Sequence, residues 1–172
     1  MSTLEVKELS HPTGEVLKIA TGKTLDLKSQ GTTTLPAGSV LQVVEANFQS
    51  QVTFTSASYA DSGLSATITP KSSSSKILVT ANVQGNINGT GQIGINLVRG
   101  STQIEESNCA LGWQDNTSAM MTLTELDSPS TASAVTYKVQ MKRTQGSGTM
   151  RLNQNNASLV GNSKITLMEI QG

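Results

Sequence analysis

The chain has 172 residues, with 12 basic and 12 acidic side chains, zero formal net charge and only 14% charged residues. No basic excess exists to neutralise phosphates, which argues against nucleic-acid binding. No apolar run is long enough to span a bilayer, and a single cysteine, Cys109, cannot staple the chain to itself. Met1-Ser2-Thr3-Leu4-Glu5 is not the basic start of a signal peptide. Serine and threonine number 22 each, so polarity comes from hydroxyls and amides.

Residues 1–28 are short amphipathic pieces: Leu4/Val6, Val16/Leu17/Ile19 and Leu25/Leu27, with turns at His11-Pro12-Thr13-Gly14 and Thr21-Gly22-Lys23. A connector, Gly31 to Gly38, follows. The division expected is an N-terminal segment, 1–38, and a head domain, 39–172. The segment is too small to bury its apolar positions alone. They must pack on the head domain, on copies of themselves or on another protein; packing between identical chains is the economical solution and predicts a symmetric oligomer, three-fold for a fibre-like appendage.

Beyond the connector the apolar residues recur with period two. Leu64, Ala66 and Ile68 alternate with hydroxyl residues; Ile77, Val79, Ala81 and Val83 alternate with Lys76, Thr80, Asn82 and Gln84. Ile93, Ile95 and Leu97 face away from Gln92, Gly94 and Asn96. Ala119–Leu126 places Met121 and Leu123 on one face, and Val135, Tyr137, Val139 and Met141 repeat the pattern. Each row suits a half-buried strand, and β-branched threonine fits its solvent side. Turn clusters separate these stretches: Ala60-Asp61-Ser62-Gly63, Pro70 to Ser75, a hairpin loop at Gly85 to Gly91, Arg99-Gly100-Ser101, Asp127 to Ser133, Gln145 to Gly148 and Asn153 to Asn162. Eight or nine strands between Val40 and Ile170 predict an all-β antiparallel sandwich of jelly-roll type, preceded by a short β-rich N-terminal anchor.

Several phrases then carry a resemblance. Ser58 to Pro70, Ser73 to Val79, Leu126 to Thr131, Tyr137 to Gln140 and Ile165 to Ile170 resemble the C-terminal domain of tail-fibre and related structural proteins of marine and cyanobacterial phages. Gly22 to Leu27, followed by Thr34 to Val44, is similar to the lead-in of such proteins. The resemblance implies a homotrimeric β-rich appendage on a phage particle, with a globular head and an N-terminal anchor built on Leu4, Val6, Val16, Leu17, Ile19, Leu25 and Leu27. It departs from a full tail fibre in having fewer than about 40 residues where an adaptor and shaft would lie.

The sequence offers little for catalysis. Asp61, Asp115, Glu125 and Asp127 have no local pairing of the kind a glycosidase uses. His11, the one histidine, lies in a turn and makes a poor triad base. One His and one Cys exclude a zinc site, and no cofactor motif is present. Cys109 reads as a small buried hydrophobe, and a lone thiol suits assembly in a reducing host cytoplasm.

The clearest binding candidate is Trp113 with Gln114, Asp115 and Asn116, since an aromatic face beside amides and a carboxylate can hold a sugar. A tryptophan in such a chain is more often a core plug or a subunit contact. Met120 and Met121 read as core or interface. The expected role is a non-enzymatic virion structural protein, a short trimeric fibre that contacts other virion proteins and a host surface glycan. A capsid decoration protein and a carbohydrate-binding module are the alternatives.

Overall fold

The computed structural model describes residues 21–22, 35–112, 117–156 and 159–172. The chain divides into two compact units, Met1–Thr34 and Leu35–Gly172. The apolar positions of the expected anchor, Leu4, Val6, Val16, Leu17, Ile19, Leu25 and Leu27, lie outside the described residues, as does His11.

All regular structure among the described residues is β: β1 (Val40–Phe48), β2 (Val52–Phe54), β3 (Ala60–Ile68), β4 (Lys76–Asn88), β5 (Gly91–Arg99), β6 (Thr102–Gly112), β7 (Thr117–Asp127), β8 (Val135–Gly146), β9 (Thr149–Leu152), β10 (Gln154–Asn156), β11 (Leu159–Val160) and β12 (Ser163–Ile170). The eight long strands form two antiparallel sheets, β1-β12-β4-β7 and β3-β8-β5-β6. Successive strands cross repeatedly from one sheet to the other, which is the jelly-roll arrangement that the strand count predicts.

Period two explains the core. Leu64, Ile68, Ile77, Val79, Ala81, Val83, Tyr137, Val139, Met141, Ile165 and Leu167 point between the sheets and are almost wholly buried. At one rim, Arg99 Nη1 donates to both Asp127 oxygens at 2.9 and 2.7 Å, and the buried Tyr137 hydroxyl donates to Asp127 Oδ2 at 2.7 Å. This clasp ties β7 of one sheet to β5 and β8 of the other.

Three local expectations are corrected. Ala60-Asp61-Ser62-Gly63 is not a turn; it opens β3 and carries a bulge between Asp61 and Ser65. Gly63 takes φ 89°, a Cβ there would meet the Phe48 ring, and Ser62 Oγ holds the bulge by donating to Val139 O at 2.7 Å. Gly85 to Gly91 is not a hairpin loop either. β4 runs on to Asn88, and Gly89-Thr90 carries the chain into the other sheet. That corner lies against the turn after β8, where Ser147 and Gly148 N–H groups both donate to the Thr90 carbonyl. Lastly, β5 is buried on both faces: Gln92, Gly94 and Asn96 are not in water. β5 lies between β6 and β8, and the stem of Lys142 and the amide of Gln140 reach over Gly94 and Asn96.

The connections separate into two ends. Residues 69–75, 100–101 and 128–134, with the approach Leu35–Ser39, gather at one end. Residues 49–51 and 89–90, the turn 147–148, and Gly112 and Thr117 gather at the other.

Candidate functional site

Trp113, Gln114, Asp115 and Asn116 lie outside the described residues, as does the side chain of Cys109. Their flanks are described. Gly112 pairs with Gln92 near the start of β5, and Thr117 pairs with Ile87 near the end of β4. Gly112 and Thr117 both lie at the end of the sandwich that carries Gly89-Thr90.

Near that end, on the outer face of the first sheet, a shallow cleft of about 320 Å³ is lined by Gln84, Ser118, Ala119, Met120, Gly161 and Asn162. Gln84 and Met120 are cross-strand partners, as are Asn86 and Ser118. Asn86 Nδ2 donates to Ser118 Oγ at 3.0 Å and to Thr117 O at 3.3 Å. Met120 forms an apolar lip and is 57% exposed, whereas Met121 is in the core. Amides, one hydroxyl and an exposed thioether can accept a polar ligand with an apolar face; no charged side chain lines the cleft.

Behind the cleft stands a buried polar hub. Asn153, with φ 58°, donates from Nδ2 to Phe48 O (2.7 Å) and Ser50 O (3.2 Å), and its Oδ1 accepts from Ser163 Oγ (2.6 Å). Its N–H donates to Gln84 O, its carbonyl accepts from Gly161 N–H, and Gln84 N–H donates to Ser163 Oγ. β12 pairs with β4 up to Asn82 and β9 pairs with β4 from Gly85. The hub thus satisfies the β4 backbone in the gap between these two partners.

The outer face of the second sheet is charged. Glu106 Oε1 accepts from the Tyr59 hydroxyl (2.8 Å) and from Lys142 Nζ (3.1 Å), and the ammonium lies 4.1 Å from the Tyr59 ring centroid. The Tyr59 and Lys142 bonds hold the Glu106 carboxyl below the usual range, while burial and the neighbouring carboxylate push the Tyr59 phenol up. Asp61, with Lys138 and Gln140 each at 2.7 Å, is likewise held low, by the Lys138 bond first.

Of the carboxylates considered for hydrolysis, Asp61 belongs to this surface and Asp127 to the rim clasp, with Glu125 two residues before it on β7; Asp115 lies outside the described residues. Among the described residues no group of three or more His, Cys, Asp or Glu could hold a metal ion. No helix among them is long and apolar enough to cross a membrane. Sequence reasoning passed over Gln84, Ser118, Gly161 and Asn162, since only strand register places them side by side.

No family model matches the chain, and no curated protein sequence matches it. Solved structures similar to it include a protein of Bacillus endospore appendages, which form disulfide-linked pili, at 14% identity and TM-score 0.35 over 83% of this chain and 99% of that one. Two chains of infectious bursal disease virus also match. The Gx strain gives 10% identity and TM-score 0.45 over 86% of this chain and 43% of that one. The virus-derived T=1 particle gives 10% identity and TM-score 0.40 over 87% and 40%. The chain spans about two fifths of the length of these viral proteins. At TM-scores of 0.35 to 0.45, none of these likenesses carries a role across to this chain.

Proposed function

We propose that the chain is a non-enzymatic structural protein of a phage particle, a short homotrimeric fibre-type appendage with a part in host attachment. The observation that carries this reading is the polarity of the jelly roll. The chain comes in at Leu35–Ser39, where Gly38 N–H donates to Gln171 O and Gln171 N–H donates to Ser39 O, both at 2.8 Å. The corner Gly89-Thr90 and residues 49–51 lie at the opposite end. In this reading residues 1–38 are the anchoring and trimerising segment and 39–172 the head, whose loops contact the host. The phrases shared with phage fibre-type proteins support the same reading. Three heads on one stem raise weak binding through effective concentration.

Gold-labelled antibody against the head, viewed on intact particles, tests the role. Label at the tail is expected; label spread over the shell would make this a capsid decoration protein instead. Within the same reading, Trp113 is the sugar platform beside Gln114, Asp115 and Asn116. Trp113→Ala is expected to lower binding on a glycan array at least roughly tenfold, the order of one lost aromatic contact of about 1.5 kcal/mol. Equal signal from both proteins dismisses Trp113 as the platform.

A further inference from the structure

The two outer faces of the sandwich differ in chemistry. That of β3-β8-β5-β6 carries Asp61, Lys138, Lys142 and Glu106. That of β1-β12-β4-β7 carries a continuous apolar row, because strand register places Val43, Met168, Leu78 and Leu126 side by side across all four strands. Val43 is 55% and Leu126 48% exposed. The next row, Glu45, Thr166, Thr80 and Thr124, is uncharged but for Glu45, whose carboxylate is neutralised by Lys164 at 3.0 Å.

We infer that this face is the contact between copies of the chain, with the row Val43–Met168–Leu78–Leu126 turned toward a three-fold axis. The inference rests on the trimeric reading above and names the surface that builds it. Two arguments choose a second copy over another occupant. Around a three-fold axis identical residues meet, so any unpaired charge faces itself; the row and the threonines beside it carry none, and Lys76, beyond Leu78 on the same face, is exposed at the end where its ammonium reaches water. The width also fits. Four strands, each about 4.8 Å wide, make a face about 19 Å wide, and three such faces close a prism whose walls lie about 5.5 Å from the axis, close to half the ~10 Å separation of packed sheets. The row then fills the prism as an inner sheet face fills a sandwich.

The test compares the full chain with the double variant Val43→Lys/Leu126→Lys by sedimentation, with far-UV circular dichroism as the check on folding. Lys138→Glu on the other face is the control. A trimeric parent, a folded double variant whose assembly midpoint is shifted at least 100-fold toward the monomer, and a control with the parent's midpoint are expected. A double variant with an unshifted midpoint overturns this assignment and leaves the appendage reading standing, with residues 1–38 as the contact. A parent that is monomeric throughout overturns both. If the double variant does not fold, peroxide oxidation of the parent decides: Met168 is expected to react several-fold faster on dilution below the assembly midpoint, while Met120, outside the row, keeps its rate. A Met168 rate independent of concentration overturns the proposal.

Discussion

Replacing Asn153 with alanine is expected to destabilise the head by about 4 kcal/mol and to lower its melting temperature by roughly 10 °C. Asn153 is 1% exposed, and its side chain is bonded on both sides: two donations to the carbonyls of Phe48 and Ser50, one acceptance from Ser163. Alanine leaves those two carbonyls and the Ser163 hydroxyl short of partners. Each buried group left without a partner costs about 1–3 kcal/mol. It also places a Cβ residue without a compensating side-chain bond at φ 58°, a conformation that asparagine tolerates better. The consequence is local as well as global, since Ser163 is the group that accepts from Gln84 N–H in the gap of the β4 ladder. Thermal melts of the two proteins check the first effect. Amide exchange at Gln84 checks the second, where faster exchange than at Val79 is expected. A loss below about 1 kcal/mol would show that the hub is ornamental.

Glu169→Gln is expected to cost about 3 kcal/mol at neutral pH, and the cost is expected to shrink in acid. Glu169 has no exposed surface, yet it accepts from Gln42 Nε2 and from the Lys71 N–H, each at 2.6 Å. Burial pushes its pKa up, but the Ser75 hydroxyl, the Gln42 amide and the Lys71 N–H push it down further, and the net shift is below the ordinary 4.5. A carboxyl depressed in the folded state contributes stability that is fully present above its unfolded pKa and is lost as pH falls through the folded value. The gap between parent and variant is therefore flat above about pH 5 and closes below it. Glutamine keeps the shape, but its neutral amide turns a donor toward a site built from donors. Urea midpoints from pH 3 to 7 read the effect; a gap that stays constant through acid, or widens, contradicts it. The carboxylate fastens loop 69–75, at the end where the chain enters, to β1 and β12.

The fold was legible because its strands alternate strictly. Ile77 to Val83 and Val135 to Met141 declare their buried face by period two, and so did the sandwich built from them. What misled was glycine. In Ala60-Asp61-Ser62-Gly63 it marks a bulge within β3; in Gly85 to Gly91, Gly85 lies within β4, where a Cβ would meet the Met121 side chain, and Gly89 turns the chain at φ 92°. Buried polar groups were also unreadable. Asn153, Glu169 and Asn96 look like solvent residues, and only tertiary partners explain their burial. The apolar row was hidden for a related reason. Val43, Leu78, Leu126 and Met168 are far apart in sequence, and each reads as an isolated exposed residue until the register aligns them. The cleft residues share this origin. By contrast, Trp113 to Asn116 announced themselves by composition, and they lie outside the described residues.

Sedimentation equilibrium on the full chain across a wide concentration range addresses the central claim most directly. A particle of three times the 18.0 kDa chain mass is expected, dissociating only on strong dilution. A species that stays at the mass of one chain at every concentration would contradict a three-fold appendage built by sharing apolar surface among copies.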